Sequence, residues 1–134
     1  MAMPAVERLK RRPEFLRVAS GRRKWVAPGL ILQALDRPAA DGGGAVLPAR
    51  VGFTASAKIG GAVVRNRARR RLRAAAAGVL PVHAAPAHDY VLIARAGTIG
   101  RNYADLVGDL ETALRRLNLY RDDQSGQGAG EHAA

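Results

Sequence analysis

Cysteine is absent from the 134 residues, which removes disulfide frameworks, thiolate nucleophiles and cysteine-based zinc sites together. Aromatic residues make up only 4%, so a core has to be assembled from Ala, Val, Leu and Ile with few large rings. No apolar run approaches the roughly 18 residues of a membrane span. The opening stretch MAMPAVERLKRRPEF has no apolar block between its charges and a cleavage site, so the expected compartment is the cytoplasm, with no membrane partner. Acidic residues are scarce too: 11 Asp and Glu stand against 22 Lys and Arg, a formal net charge of +11. That excess is more than solubility asks for and points to a polyanionic partner. The length allows one domain and excludes a multidomain enzyme.

The charge is unevenly laid out. Residues 1–73 hold 17 Lys and Arg with 4 Asp and Glu, net +13, whereas residues 74–134 hold 5 and 7, net −2. From Arg50 to Arg73 there are eight basic residues (Arg50, Lys58, Arg65, Arg67, Arg69, Arg70, Arg71, Arg73) and no acid. The clustering, rather than the preference for Arg over Lys, is the informative feature.

Pattern and punctuation divide the chain into elements. A short helix is expected from Pro13, whose fixed φ suits a first turn, to Gly21, with Phe15, Val18 and Ala19 on one face. Before it, Arg8 to Arg12 is basic and unpatterned and reads as an extended arm, part of a basic N-terminal arm over about residues 1–12. Trp25-Val26-Ala27, Leu30 to Leu35 and Arg50 to Ala55 read as strands, the last with Val51, Phe53 and Ala55 turned toward the core. Asp36 to Pro48, with Asp41-Gly42-Gly43-Gly44, reads as a connection, and a hairpin across it is the simplest pairing.

Ala62 to about Val79 has helical periodicity, ended by Pro81 and Pro86, and its Val64, Ala68, Leu72, Ala75, Ala76 and Val79 form an apolar arc. Asp89 to Arg95 is nearly continuous in apolar residues, the mark of a central strand buried on both faces. Asn102 is placed to cap a last helix carrying Leu106, Leu110, Leu114 and Leu117 on one side. Residues 122–134 are too polar to pack and read as a disordered tail, leaving 1–121 as a single α/β domain. The order is helix, strands, helix, strand, helix: an α+β, two-layer sandwich built on a mostly antiparallel central sheet.

The segment from Lys58 to Arg73 carries the chemistry. At about 100° per residue, Arg65, Arg69 and Arg73 share a stripe beside the apolar arc, and Asn66 and Arg70 an adjoining one. Residues four apart rise about 6 Å along the axis, close to the phosphate repeat of a nucleic-acid strand. Like charges at this spacing destabilise a helix, and a merely solvated face mixes signs, so a nucleic-acid contact surface is the better reading. An anionic membrane fits less well, because the apolar side is mostly Ala and lacks Trp and Phe. Charge alone does not separate duplex DNA from structured RNA. Asn66 can set a helix terminus or touch a sugar or base.

Arg8-Leu9-Lys10 with Glu14-Phe15, Arg50-Val51-Gly52-Phe53-Thr54 leading to Lys58-Ile59-Gly60, and Arg65-Asn66-Arg67 with Arg69-Arg70 and Arg73 resemble the protein subunit of bacterial ribonuclease P over about residues 7–118. The resemblance implies a left-handed strand–helix–strand crossover, against the usual preference. It further implies that a large catalytic RNA, paired 1:1 with the protein, removes the 5′ leader of precursor tRNA. Arg65, Asn66, Arg67, Arg69, Arg70, Arg73 and Lys58 would then meet that RNA. A cleft with Lys10, Arg11, Phe15, Val18, Ala19 and Gln33 would hold the single-stranded leader, where stacking on a ring is sequence-tolerant. Magnesium would enter through the RNA, with none bound by the protein alone. The chain departs from the family at Ala19 and Gln33, often aromatic, and at Ala57, Gly61 and Ala74, often Lys, Asn and Glu.

A self-sufficient ribonuclease needs a general acid and base or clustered metal ligands. His83 and His88 read as parts of a Pro/Ala loop and His132 as part of the tail, while Asp105, Asp109 and Glu111 read as the polar side of the last helix. No catalytic residue and no metal cage are expected in the protein. A ribosomal or other structural RNA-binding protein is the alternative, and a DNA-binding architectural protein a third reading.

Overall fold

The computed structural model describes residues 6–37 and 47–122. The chain runs β1 (Glu7–Arg8), α1 (Arg12–Ser20), β2 (Lys24–Val26), β3 (Leu30–Asp36), β4 (Arg50–Thr54), a 3-10 turn (Ala57–Ile59), α2 (Ala62–His83), β5 (His88–Ala94), a second 3-10 turn (Ala96–Thr98) and α3 (Tyr103–Arg116). The five strands form one mixed sheet in the order β1-β4-β5-β3-β2. β2, β3 and β5 pair antiparallel, whereas β5, β4 and β1 pair parallel.

The apolar run of β5 decides this topology. Tyr90 and Leu92 are fully buried on the face covered by α2 and α3, and Val91 on the other face packs with Leu9 and Val18. A strand apolar on both sides gains most at the centre, so β5 lies between β3 and β4, and the hairpin expected between those two does not form. β4 and β5 are instead joined through α2, the strand–helix–strand crossover that the family resemblance implies. Because both faces of β5 need cover, α1 packs as a partial third layer opposite α2 and α3, where two layers were expected. The glycine-rich stretch Asp41–Gly44 and the tail over 123–134 lie outside the described residues.

Two local readings change. The arm contains a strand: Glu7 and Arg8 pair with Arg50 and Val51, and the backbone N–H groups of Glu7 and Leu9 donate to the carbonyls of Ala49 and Val51. Two paired residues are too few to show alternation. Helix α2 continues past Val79 to His83 with Pro81 inside its last turn. Buried Leu80 and Ala84 hold that turn against the core, and packing offsets the one hydrogen bond that a proline removes. His83 therefore ends α2 and His88 opens β5, rather than sharing a loop.

In α3, Asn102 caps as expected, accepting from the Ala104 N–H at 2.9 Å. Asp109, read as solvent-facing, is buried; it accepts from Arg101 Nε at 2.8 Å and from the Gly29 N–H at 3.0 Å, tying α3 to the β2–β3 turn.

Candidate nucleic-acid interface

Helix α2 has good helix formers in Ala, Arg and Leu, but its N-terminus works against it. Gly61 gives no side-chain cap, and the first turn holds no acid while Arg65 and Arg67 follow closely. Positive charge at this end opposes the helix dipole. The helix is held by its underside, where Ala68, Leu72, Ala75, Ala76, Val79 and Leu80 are buried against the sheet and α3.

What remains is a cationic face. Arg67, Arg70 and Arg73 are exposed, and Arg65 and Arg69 half-exposed. Among the described residues Glu7, Glu14, Asp36, Asp89 and Asp109 pair with Arg17, Arg23, Arg37, Arg50, Arg101 and His88 rather than with the α2 arginines or Lys58. Lys58 stands exposed on the 3-10 turn just before α2, after which Gly60 takes φ +144°, a turn that disfavours a side chain. Arg69 Nη2 donates to Asn66 Oδ1 at 2.5 Å, so Asn66 aims Arg69 and is not the helix cap. Arg65 lies in helical line with Leu72 and Ala76; its Nε is enclosed and has no hydrogen-bond partner among the described residues.

Two other arginines of the basic run do different work. Arg71 donates from Nε to the Thr98 carbonyl at 3.0 Å and from Nη2 to that of Arg101, binding α2 to the turn after β5. Arg50 donates to Asp89 and Glu14 under α1.

On the opposite side of the sheet a groove of about 330 Å³ is lined by Lys10, Arg12, Phe15, Phe53 and Thr54. It brings together Lys10 and Phe15 of the expected leader set. Arg11 is exposed as the N-cap residue of α1, and Arg12 takes its place in the wall. Ala19, exposed on α1, and Gln33, half-buried on β3, are not among its walls. Val18 is 0% exposed and packs with Leu9 and Val91, so it belongs to the core rather than to the groove's surface. Three residues after Phe15, Val18 falls on the same inward face of α1.

Sequence reasoning missed three contributors. Glu14 Oε1 accepts from the backbone N–H groups of Lys10 and Arg11 at 3.1 and 3.0 Å, fixing the turn that carries the groove's cations. These bonds, ahead of the charge of Arg50, hold its carboxyl below the usual range. Asp89, fully buried, gathers Arg17 and Arg50 at 2.7–2.8 Å. Gly52 lies beneath the Phe15 ring: a Cβ there would stand 2.3 Å from Cε2 and 2.4 Å from Cζ. A glycine interrupting a strand pattern is the available signal for such a close approach. Gly52→Ala is expected to push the ring off its seat and lower stability by about 1–3 kcal/mol. An unchanged urea midpoint would show that the ring does not rest there.

Comparison with known proteins gives one answer throughout. The family model described as Ribonuclease P matches residues 3–118. The ribonuclease P protein component of Paramagnetospirillum magneticum is 54% identical over 112 residues, spanning 84% of this chain and 83% of that protein. That of Gluconacetobacter diazotrophicus is also 54% identical over 112 residues, spanning 84% and 91%. Among solved structures, the RNase P protein of Staphylococcus aureus superposes with a TM-score of 0.67 at 21% identity, covering 85% of this chain and 97% of that one. The Thermotoga maritima protein gives 0.65 at 21% identity, covering 82% and 96%.

Proposed function

The chain belongs to the ribonuclease P protein family, and from that premise we propose that it is the protein component of the cytoplasmic ribonuclease P ribonucleoprotein, assisting 5′ maturation of precursor tRNA. Helix α2 and Lys58 grip the catalytic RNA, one protein to one RNA, and the Phe15 groove on the other face takes the leader. The observation that carries this reading is the charge of α2: among the described residues Glu7, Glu14, Asp36, Asp89 and Asp109 pair with basic side chains elsewhere in the fold, which leaves this helix for a polyanion. The separation of the two surfaces by the sheet supports a protein that holds two RNA segments at once.

The chemistry of cleavage belongs to the RNA and its magnesium ions. This chain's part is to bind, to orient the leader and to screen phosphate repulsion between two RNAs. Among the described residues no three His, Asp or Glu side chains come together as a metal cluster. The test is cleavage of a precursor tRNA by the cognate RNA across a magnesium series. The protein alone is expected to cut nothing and, with the RNA, to lower the magnesium required; identical activity with and without protein at every concentration would sink the proposal.

The two surfaces are expected to separate genetically. Arg69→Ala should weaken assembly with the catalytic RNA and reduce its salt slope by about 1. Phe15→Ala should leave assembly nearly intact and remove the affinity that a leader adds, about 1–3 kcal/mol for one stacked base. Equal effects of both variants in both assays would refute the division.

A further inference from the structure

A second cavity, of about 340 Å³, opens on the α2 side of the sheet between the β1–β4 edge and the C-terminal half of α2. Val51, Phe53, Ala77 and Leu80 give it apolar walls, and among the described residues Arg8 and Arg73 supply its charged side chains. The two guanidinium carbons lie 5.3 and 5.9 Å from the centre of the Phe53 ring. The volume falls in the range of about 300–1,000 Å³ typical of small-ligand sites.

The lining specifies the chemistry of an occupant. Among the described residues, apart from the two guanidinium groups, no wall side chain can hydrogen-bond, so the cavity suits a flat, largely apolar body with an anionic edge. Arginine forks match phosphate, and guanidinium planes and a phenyl ring both stack on bases. Arg73 stands one turn beyond Arg69, so the cavity continues the cationic face of α2. Phe53 is also a wall of the Phe15 groove, so one ring divides two neighbouring sites.

Resting on the ribonuclease P reading, we infer that this cavity receives one unstacked nucleotide of the RNA gripped by α2, its base against Phe53 and Ala77 and its phosphate on Arg8 and Arg73. The pocket does not read which base enters, because nothing in it contacts a Watson–Crick edge selectively. Its position at the end of the arginine row selects where along the RNA the base is taken. It is distinct from the leader groove, which lies across Phe53.

Two measurements on the full chain with its cognate catalytic RNA test this. Because the chain has no cysteine, Ala74→Cys, exposed one turn before Ala77 and outside the cavity lining, gives a single attachment point for an azidophenacyl photocrosslinker beside the cavity without filling it. The expected product is a crosslink centred on one unpaired nucleotide of the catalytic RNA. Crosslinks spread over paired RNA, to the precursor's leader, or to a second copy of the protein would overturn the assignment. Independently, Ala77→Leu fills the cavity without touching a charge and is expected to weaken assembly about tenfold with an unchanged salt slope, and with circular dichroism like the parent's. Full affinity of Ala77→Leu alongside weakened Arg69→Ala would sink the cavity alone. Full affinity of both would sink the underlying RNA-subunit reading.

Discussion

Replacing Asp89 by Ala is expected to cost about 3–5 kcal/mol of folding free energy, the range for removing one partner of a buried ion pair. The carboxylate is 0% exposed. It accepts from Arg50 Nε and Nη2, each at 2.7 Å, and from Arg17 Nη2 at 2.8 Å, with Arg37 Nε at 3.9 Å. Deleting it leaves the Arg50 guanidinium, only 19% exposed, without its main partner beneath α1. Arg17, more than a third exposed, can turn to water and contributes less. Against a total of about 5–15 kcal/mol for a domain of this kind, the loss should move the urea midpoint far down. A midpoint unchanged by Asp89→Ala would mean that the cluster contributes no net stability.

The same cluster sets a pH dependence. Burial pushes the Asp89 carboxyl up, but hydrogen bonds from Arg50 and Arg17, together with their charge, outweigh it and hold it below the ordinary range. Glu14 is held low as well. Groups ionising lower in the folded chain stabilise it above their unfolded values of about 4, and that contribution is lost as pH falls through the folded values. The parent should thus lose stability below about pH 4, and Asp89→Asn should be less stable at neutral pH but show a shallower acid limb. Since Arg50 also donates to Glu14 at 2.9 Å, and Glu14 holds the Lys10–Arg11 backbone, the variant is expected to loosen the Phe15 groove before it unfolds the sheet.

Elements with sustained periodicity were legible from the sequence: α2 and α3 by their apolar arcs, β5 by its continuous apolar run. What was not legible depends on long-range partners. Arg50, Arg69 and Arg71 look alike in a basic run, yet Arg50 meets a carboxylate 39 positions away and Arg71 a carbonyl 27 positions away, while Arg69 meets Asn66 of its own helix and solvent. The arm's strand exists only because β4 presents a free edge to it. The sheet order followed from the demand of β5 for two covered faces, a demand stronger than the nearness of β3 and β4 in sequence. Phe15 is ambiguous by residue type, and it serves both ways: its ring sits on Gly52 as core while lining the groove.

Replacing Arg67, Arg69 and Arg70 together by Ala should weaken assembly with the ribonuclease P RNA by about 10²–10³-fold at 0.1 M salt. Each phosphate neutralised contributes about 0.7–0.9 to the slope of log affinity against log salt, so three lost contacts amount to about 2–3 decades at that concentration. The slope should become shallower by about 2–3 at the same time. Folding should respond in the opposite direction. None of the three pairs with a carboxylate among the described residues, like charges along the helix repel by a few tenths of a kcal/mol per pair, and Ala is the strongest helix former. The triple variant is therefore expected to unfold no more easily than the parent in urea. Arg71→Ala supplies the contrast: it removes bonds to the carbonyls of Thr98 and Arg101, so it should lower the midpoint and leave the salt slope alone. If the triple variant lost stability, or Arg71→Ala flattened the slope, the separation of gripping from structural arginines would fail, because a helix kept for its own stability has no reason to keep charges that oppose it.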